Sequence, residues 1–140
     1  MVARTFHRRC AWAVVLGLGV AGAALAQAQA VLPAAEAPSV SRGQQLVESR
    51  CFACHSLDAN RAGPALRGVV GRKAGKAEGY FYSEAMAAAT HTWTQAGLKA
   101  WLTNPEKVVP GQEMYYQLDS AQDREDVVAY LASVSKRAQK

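Results

Sequence analysis

Cysteine is scarce in this chain, and its scarcity excludes the commonest sites built from cysteine pairs. Of three cysteines, Cys51 and Cys54 form a C-x-x-C pair, while Cys10 lies far upstream. A structural zinc site would need a second such pair or two suitably spaced histidines, and neither accompanies this one. The strand-then-helix setting of thioredoxin-like dithiols is also missing. The pair therefore requires another explanation.

The chain also lacks an apolar run of the length that usually spans a membrane. The run from Ala11 to Leu25 has about fifteen residues, against roughly 20 for a bilayer. It follows a basic start and precedes small residues in A-x-A order, the layout of a secretory signal peptide. We expect a signal peptide at 1–30, a linker at 31–40 and one domain at 41–140, with cleavage after Ala26, Ala28 or Ala30. An uncleaved N-terminal anchor is the alternative.

Excess positive charge is small once this leader is set aside. The whole chain has 16 Lys and Arg against 11 Asp and Glu, but Arg4, Arg8 and Arg9 lie in the leader, which leaves 13 against 11. A nucleic-acid-binding domain would need a clustered basic face, and none is visible. We therefore expect no nucleic-acid partner. A single small domain has a limited core, which a large flat apolar cofactor would enlarge.

The five residues 51–55 read C-F-A-C-H, the attachment pattern of a c-type haem. In this pattern the thiols of Cys51 and Cys54 add to the vinyl groups on one edge of the porphyrin. The adjacent His55 then lies under the iron as an axial ligand. The sequence predicts one covalently bound haem c per chain.

Periodicity predicts helices and long loops, with no defensible strand pattern and no internal repeat. The first helix should begin at Ser41, where Ser41 and Gln44 match a capping box. Gly43 inside it suggests that another helix approaches closely, since a helical glycine costs about 1 kcal/mol. Further helices are predicted at 83–89, after Thr94 as far as Asn104-Pro105, and after Ser120 with Val127, Tyr130, Leu131 and Val134 on one face.

The ligand on the other side of the iron decides the function. An open position would permit binding of gases or peroxide, whereas a filled one favours electron transfer. A bis-histidine site would require His91. Met86 lies in an Ala-rich helical pattern that favours core packing. Met114 follows Val109-Pro110-Gly111-Gln112, which has the proline and glycine of a type II turn, and is the candidate that the residues favour.

From about Ser41 to Ser135 the chain resembles a class I cytochrome c, the type related to mitochondrial cytochrome c and its soluble bacterial counterparts. The matching runs appear in the family's order. They are C-F-A-C-H at 51–55, G-P-A-L-R-G-V-V-G-R-K-A-G at 63–75, Y-S-E-A-M at 82–86, Trp93, L-T-N-P at 102–105, V-P-G-Q-E-M at 109–114 and R-E-D-V-V-A-Y-L at 124–131. The resemblance implies an all-α fold of helices and long loops wrapped around one haem.

The resemblance also implies roles for individual residues. His55 and Met114 would be the axial ligands, and the carbonyl of Pro64 would accept from the other ring nitrogen of His55. Asn104 would steady the methionine loop. Gly43 would meet Tyr130 where the first and last helices cross.

The resemblance also implies which residues would bind the haem propionates, namely Arg72, Tyr82 and Trp93. These side chains would give the buried anionic groups polar partners. Without the resemblance, Trp93 and Trp101 read equally as core aromatics, and Arg72 as a solvated loop charge.

The chain departs from the family pattern at four places. Trp101 stands where a tyrosine is common, so a hydroxyl contact to the methionine sulfur would be missing. Gln112 replaces a usual threonine. Glu106 and Glu113 replace lysines around the exposed haem edge, so steering toward acidic partners should be weaker or differently directed.

The function implied is a soluble periplasmic electron carrier, not an enzyme. Its partners would be an oxidase, a quinol-oxidising complex, a reaction centre or a periplasmic dehydrogenase, met as a monomer in brief encounters. Two alternatives remain open. One is a peroxidase-like or gas-binding module in which Met114 dissociates, and the other is an electron-delivery domain tethered by an uncleaved leader.

Overall fold

The computed structural model describes residues 36–137, with side chains as far as Ser135. Its helices are α1 (Val40–Leu46), a π-helical turn (Val47–Cys51), α2 (Glu84–Ala88), α3 (Gln95–Thr103), α4 (Pro105–Val108) and α5 (Ala121–Arg137). Across this range the extended structure is limited to an isolated bridge between Lys73 and Thr92. The all-α prediction is confirmed. The predicted signal peptide at 1–30 lies outside the described residues.

Helix α1 begins one residue earlier than the sequence predicted. Its N-cap is Ser39, whose hydroxyl accepts from the backbone N–H of Arg42 at 3.3 Å. The predicted capping box at Ser41 and Gln44 was wrong, because Gln44 donates to Glu48 at 2.8 Å instead. Ser39 is selected by tertiary structure, since its own N–H donates to Asp126 of α5 at 2.7 Å.

The crossing of α1 and α5 is close because of one glycine. A Cβ at Gly43 would lie 1.9 Å from the carbonyl oxygen of Asp126 and 2.9 Å from the Cβ of Tyr130. Only a residue without a side chain permits this approach. The predicted meeting of Gly43 and Tyr130 is confirmed.

One face of α5 supplies much of the core, as its periodicity predicted. Val127, Tyr130, Leu131 and Val134 are all at least 95% buried. The helix is capped by Ser120, whose hydroxyl accepts from the N–H of Asp123 at 3.1 Å. This face packs against α1 and α3, which places the core beside the loops described below.

Between α3 and α5 the chain makes a short helix that the sequence analysis did not predict. Asn104 ends α3 and also caps α4, because its side-chain oxygen accepts from the N–H of Lys107 at 3.1 Å. Pro105 fits the first turn of α4, where its missing N–H is not needed.

Among the described helices, a candidate for a membrane span, which would need both length and apolar character, is not found.

Candidate functional site

The loops enclose a cavity of about 520 Å³ on the core side of α3 and α5. Most of its lining is apolar or aromatic, the character of a site for a large flat ligand. Eight of the nine residues singled out in the sequence line it, namely Cys51, Cys54, His55, Pro64, Arg72, Tyr82, Trp93 and Met114. Asn104 is not among the lining residues and instead caps α4.

Cys51 and Cys54 are brought to the cavity by the π-helical turn that continues α1. The N–H of Phe52 reaches back five residues to the carbonyl of Val47 at 3.2 Å, and such wide turns recur at functional sites. Both cysteines are free thiols. Burial, together with the neighbouring Cys54, raises the pKa of Cys51 to about 11. Because neither sulfur is in a disulfide, both can be joined covalently to a ligand.

The imidazole of His55 is oriented by the next loop. Its Nδ1 donates to the carbonyl oxygen of Pro64 at 2.7 Å, and a carbonyl can only accept, so Nδ1 carries the proton. Burial lowers the pKa of His55, while the hydrogen bond to Pro64 opposes that shift. The neutral ring keeps a lone pair on Nε2 for a metal.

Gly63 determines how closely this loop approaches the imidazole. A Cβ at Gly63 would lie 2.3 Å from Cε1 of His55, a separation that real atoms do not tolerate. In the sequence, Gly63 appeared only as the first residue of the run at 63–75. Its contact with the ring depends on how two loops pack, and no local pattern carries that information.

Arg72 is a half-buried cation on the cavity wall. Its guanidinium donates to the carbonyls of Ala65 at 2.8 Å and Arg67 at 3.3 Å, and none of the carboxylates in the described range forms an ion pair with it. Burial lowers the pKa of Arg72, partly offset by Tyr82. A cation placed in this way is suited to an anionic group of a ligand.

Trp93 is hydrogen-bonded to Arg72 through the backbone of both residues. The N–H of Trp93 donates to the carbonyl of Arg72 at 2.9 Å, and the N–H of Gly71 donates to the carbonyl of Trp93 at 2.8 Å. The Trp93 ring is 6% exposed and meets Trp101 edge to face at 5.1 Å. The reading of both tryptophans as core aromatics is therefore correct, and both also line the cavity.

Two tyrosines form another part of the wall. Tyr80 and Tyr82 meet edge to face at 4.7 Å. The hydroxyl of Tyr82 accepts from the N–H of Ala77 at 3.3 Å, and that of Tyr80 donates to the carbonyl of Ala62 at 2.6 Å. Tyr80 was missed in the sequence analysis, although its spacing of two from Tyr82 places both rings on one side of an extended segment.

Met114 has a polar contact that the sequence did not predict. The indole Nε1 of Trp101 donates to the Sδ of Met114 at 3.4 Å. The hydroxyl contact that a tyrosine would supply is missing, as expected, and the indole N–H of Trp101 supplies a donor in its place. Trp101 is 7% exposed, and a buried indole usually finds a hydrogen-bond partner.

The turn preceding Met114 is the one that the sequence predicted. Gly111 has φ +85, and the N–H of Gln112 donates to the carbonyl of Val109 at 3.2 Å, as a type II turn requires. Glu106, expected near the exposed haem edge, accepts a hydrogen bond from the N–H of Gly111 at 2.9 Å. Its carboxylate is therefore bonded within the loop, although Glu106, like Glu113, is exposed.

The two other candidates for an iron ligand occupy different surroundings. His91 is not among the lining residues; its ring meets that of Trp93 edge to face at 4.6 Å, and its Nε2 is buried without a hydrogen-bond partner. Met86 is 9% exposed, packs in the core as predicted and lines the cavity as well.

These residues fit a haem c. Free thiols, a neutral imidazole with an available Nε2 and a thioether line one apolar cavity, and the wall includes a cation without a carboxylate partner. Such a donor set suits iron–porphyrin chemistry.

Comparison with known proteins gives the same family at each level. The cytochrome c family model matches residues 40–135. Cytochrome c2 of Rhodoblastus acidophilus is 42% identical over 92 residues, covering 63% of this chain and 86% of that protein. Cytochrome c of Gibberella zeae is 39% identical over 101 residues, covering 69% of this chain and 95% of that protein.

The fold agrees with this result. The solved structure of cytochrome cH from Methylobacterium extorquens superposes with a TM-score of 0.64 at 40% identity, covering 68% of this chain and 98% of that one. The chain thus has the class I cytochrome c fold and belongs to the cytochrome c family, whose members are electron carriers that hold haem c covalently through a C-x-x-C-H motif that Cys51 and Cys54 fit.

Proposed function

We propose that this chain is a soluble periplasmic electron carrier whose haem iron is ligated by His55 and Met114. The observation that carries the proposal is that both side chains line the cavity of the two cysteines. Nε2 of His55 is left free by the bond to Pro64. His91 lies outside the lining, which favours a methionine over a second histidine.

The polar wall residues are assigned to the haem propionates. Arg72 supplies the cation, and the hydroxyl of Tyr82 and the indole of Trp93 supply further donors. The pairing of Arg72 with carbonyls alone supports this assignment, since a buried carboxylate is stabilised by such a partner. The hydrogen bond between Pro64 and His55 fixes the tautomer and raises the basicity of Nε2.

The mechanism is one-electron, outer-sphere transfer. The haem supplies an iron that alternates between the ferric and ferrous states. His55 and Met114 would both hold the iron and would leave no position on it open to small molecules. The thioether of Met114 and the apolar lining favour the ferrous state and so raise the reduction potential. Asn104, through the cap on α4, steadies the segment that leads to Met114.

The cellular location is proposed from the leader, residues 1–30, and the partners from the family and from the charges around the exposed haem edge. Relatives occur in a bacterium and in eukaryotes, so the periplasm is inferred from the layout of residues 1–30. Carriers of this family have redox partners. An oxidase, a quinol-oxidising complex, a reaction centre or a periplasmic dehydrogenase fits, met by a monomer in a transient complex.

Optical spectra of the haem-loaded protein test the ligation. We expect a sulfur–iron charge-transfer band in the oxidised protein that is lost in Met114→Leu and kept in Met86→Leu, a matched change at the other cavity methionine. The reduction potential should fall only in the first variant. An unchanged spectrum and potential in Met114→Leu would exclude Met114 as the ligand.

Two further measurements separate the alternatives. Rapid carbon monoxide binding by the reduced wild-type protein at neutral pH would favour a gas-binding or peroxidase-like module. The mass of the protein purified from the native membrane and periplasmic fractions tests the leader, since a retained leader would favour a tethered domain.

A further inference from the structure

A chain of side-chain hydrogen bonds links α4 to the backbone of Met114. The carboxylate of Glu106 accepts from the N–H of Gly111 at 2.9 Å and from the side-chain amide of Gln112 at 3.5 Å. The amide oxygen of Gln112 then accepts from the backbone N–H of Met114. We call residues 109–114 the methionine loop. The side chains of Glu106 and Gln112 therefore connect the turn of the methionine loop to its last residue, Met114.

The chemistry of the partners fixes which way the Gln112 amide faces. A carboxylate can only accept, so Glu106 must face the NH₂ group of Gln112. The backbone N–H of Met114 can only donate, so it must face the amide oxygen. A reversed amide would lose both bonds. Glu106 thus selects the orientation of Gln112 that can hold Met114.

Burial makes Gln112 sensitive to this arrangement. The residue is 5% exposed, and a buried amide that loses a partner carries a desolvation penalty. Neighbouring Glu113 and nearby Gln117 are exposed. The loop therefore places one polar side chain inside, where its hydrogen bonds have the greatest effect on order.

The other end of the chain of bonds is anchored by a capped helix. Glu106 lies in the first turn of α4, which Asn104 caps. Pro105, whose ring limits φ, is buried at the start of that helix. Glu106 therefore projects from a fixed backbone, whereas the residues that it contacts belong to a turn.

We propose that Glu106 and Gln112 are positioning residues that hold the backbone of Met114, so that its sulfur stays in the cavity. The inference rests on the proposed ligation of iron by Met114. Neither side chain touches the metal. Together they determine how often the methionine loop opens and releases the sulfur.

The test is an exchange of the two side chains in the haem-loaded protein. In Gln112→Glu, two carboxylates face each other and the loop should open. In the double variant Glu106→Gln, Gln112→Glu, the donor and acceptor roles are swapped, and all three hydrogen bonds can form again. Gln117→Glu adds the same charge on the exposed surface, and Glu78→Gln, at an exposed residue outside the cavity lining, removes the same charge as Glu106→Gln.

Two readouts follow loop opening. One is the hydrogen-exchange rate of the Met114 amide, and the other is the affinity of the ferric protein for imidazole, a neutral competitor for the iron. We expect both to rise about tenfold or more in Gln112→Glu, the factor expected for loss of a hydrogen bond to a charged group. The double variant should recover most of this change, and the two control variants should resemble the wild type.

A double variant no better than Gln112→Glu, or a Met114 amide equally protected in all variants, would overturn the proposal. Amide exchange at Met114 can be measured whether or not its sulfur binds iron. Absence of the charge-transfer band from the wild-type protein would therefore overturn the ligand assignment separately, while the exchange data would still decide whether the two side chains hold the loop.

Discussion

The helix crossing and the cavity loops of this molecule are stabilised in different ways. Where α1 meets α5, the chain provides both sides of every contact described above, from the glycine–carbonyl approach of Gly43 to the bond between Ser39 and Asp126. The loops instead direct apolar side chains at a cavity of about 520 Å³. The crossing is complete in itself, whereas the loops depend on the cofactor for the other half of their core.

Removal of both thiols should have the largest effect and tests this comparison directly. In Cys51→Ser, Cys54→Ser the haem is not attached. A cavity of about 520 Å³ without its cofactor costs at most about 12 kcal/mol at about 24 cal/mol per Å³, comparable to the whole stability of a domain. We expect loss of most helical circular dichroism, with residual amide protection confined to α1 and α5. Protection that persisted in the cavity loops would contradict the comparison.

A methyl group at the helix crossing should have the next largest effect. In Gly43→Ala the new Cβ would lie 1.9 Å from the carbonyl oxygen of Asp126, so the helices must separate. We expect a loss of about 3 kcal/mol in the free energy of unfolding, measured by denaturant titration of the haem-loaded protein. Gly97→Ala, in α3, meets only the hydroxyl of Thr94 at 3.2 Å and should change stability by less than about 1 kcal/mol. Equal losses of stability in Gly43→Ala and Gly97→Ala would show that the helix crossing is packed no more closely than the surroundings of Gly97.

The buried carboxylate at the crossing should make stability depend on acid. The hydrogen bond from Arg42, at 2.7 Å, lowers the pKa of Asp126 below its usual range. A lowered pKa contributes stability above the unfolded value of about 3.9 and loses it as pH falls toward the folded value. Asp126→Asn should therefore lower the melting temperature at pH 6, with a difference from wild type that shrinks below about pH 4. A difference that stayed constant with pH would contradict this role.

On the cavity side, loss of the indole contact to the Met114 sulfur should have the smallest effect of these changes. It should alter the reduction potential more than the free energy of unfolding. If Met114 ligates iron as proposed, a donor to its lone pair weakens its donation to ferric iron, so Trp101→Phe should lower the reduction potential. A bond of about 0.5–1.5 kcal/mol corresponds to about 20–60 mV when a tenfold change equals 59 mV. Leu102→Ala removes volume from the same helix without touching the bond. If both variants shifted the potential equally, cavity volume rather than the hydrogen bond would be responsible.

The sequence predicted the local features of the fold well. Capping serines and threonines, the buried face of α5 and the turn at Val109–Gln112 each depend on residues close in the chain. The error at the start of α1 has a different origin. Ser39 and Ser41 are both able to cap, and the choice between them is made by Asp126, 87 residues away from Ser39, which no local pattern could reveal.

The same distinction applies to the site. Residues tied to a motif, such as Cys51, Cys54 and His55, were predictable because their chemistry dictates their spacing. Contacts between loops were not. The donor to the Met114 sulfur and the hydrogen bonds of Glu106 depend on which side chains meet across 13 and 5 residues. Glu106 is exposed, as expected, but its bonds to the loop were not predictable.

The close approach of Gly63 to His55 has a consequence for the speed of electron exchange. The ring is held at Nδ1 by a carbonyl and along its edge by a backbone that leaves no room for even a methyl group. With His55 as the proposed iron ligand, a ring confined in this way would keep its position when the charge on the metal changes. Little reorganisation would then accompany each electron, because the surroundings would already be arranged for both oxidation states.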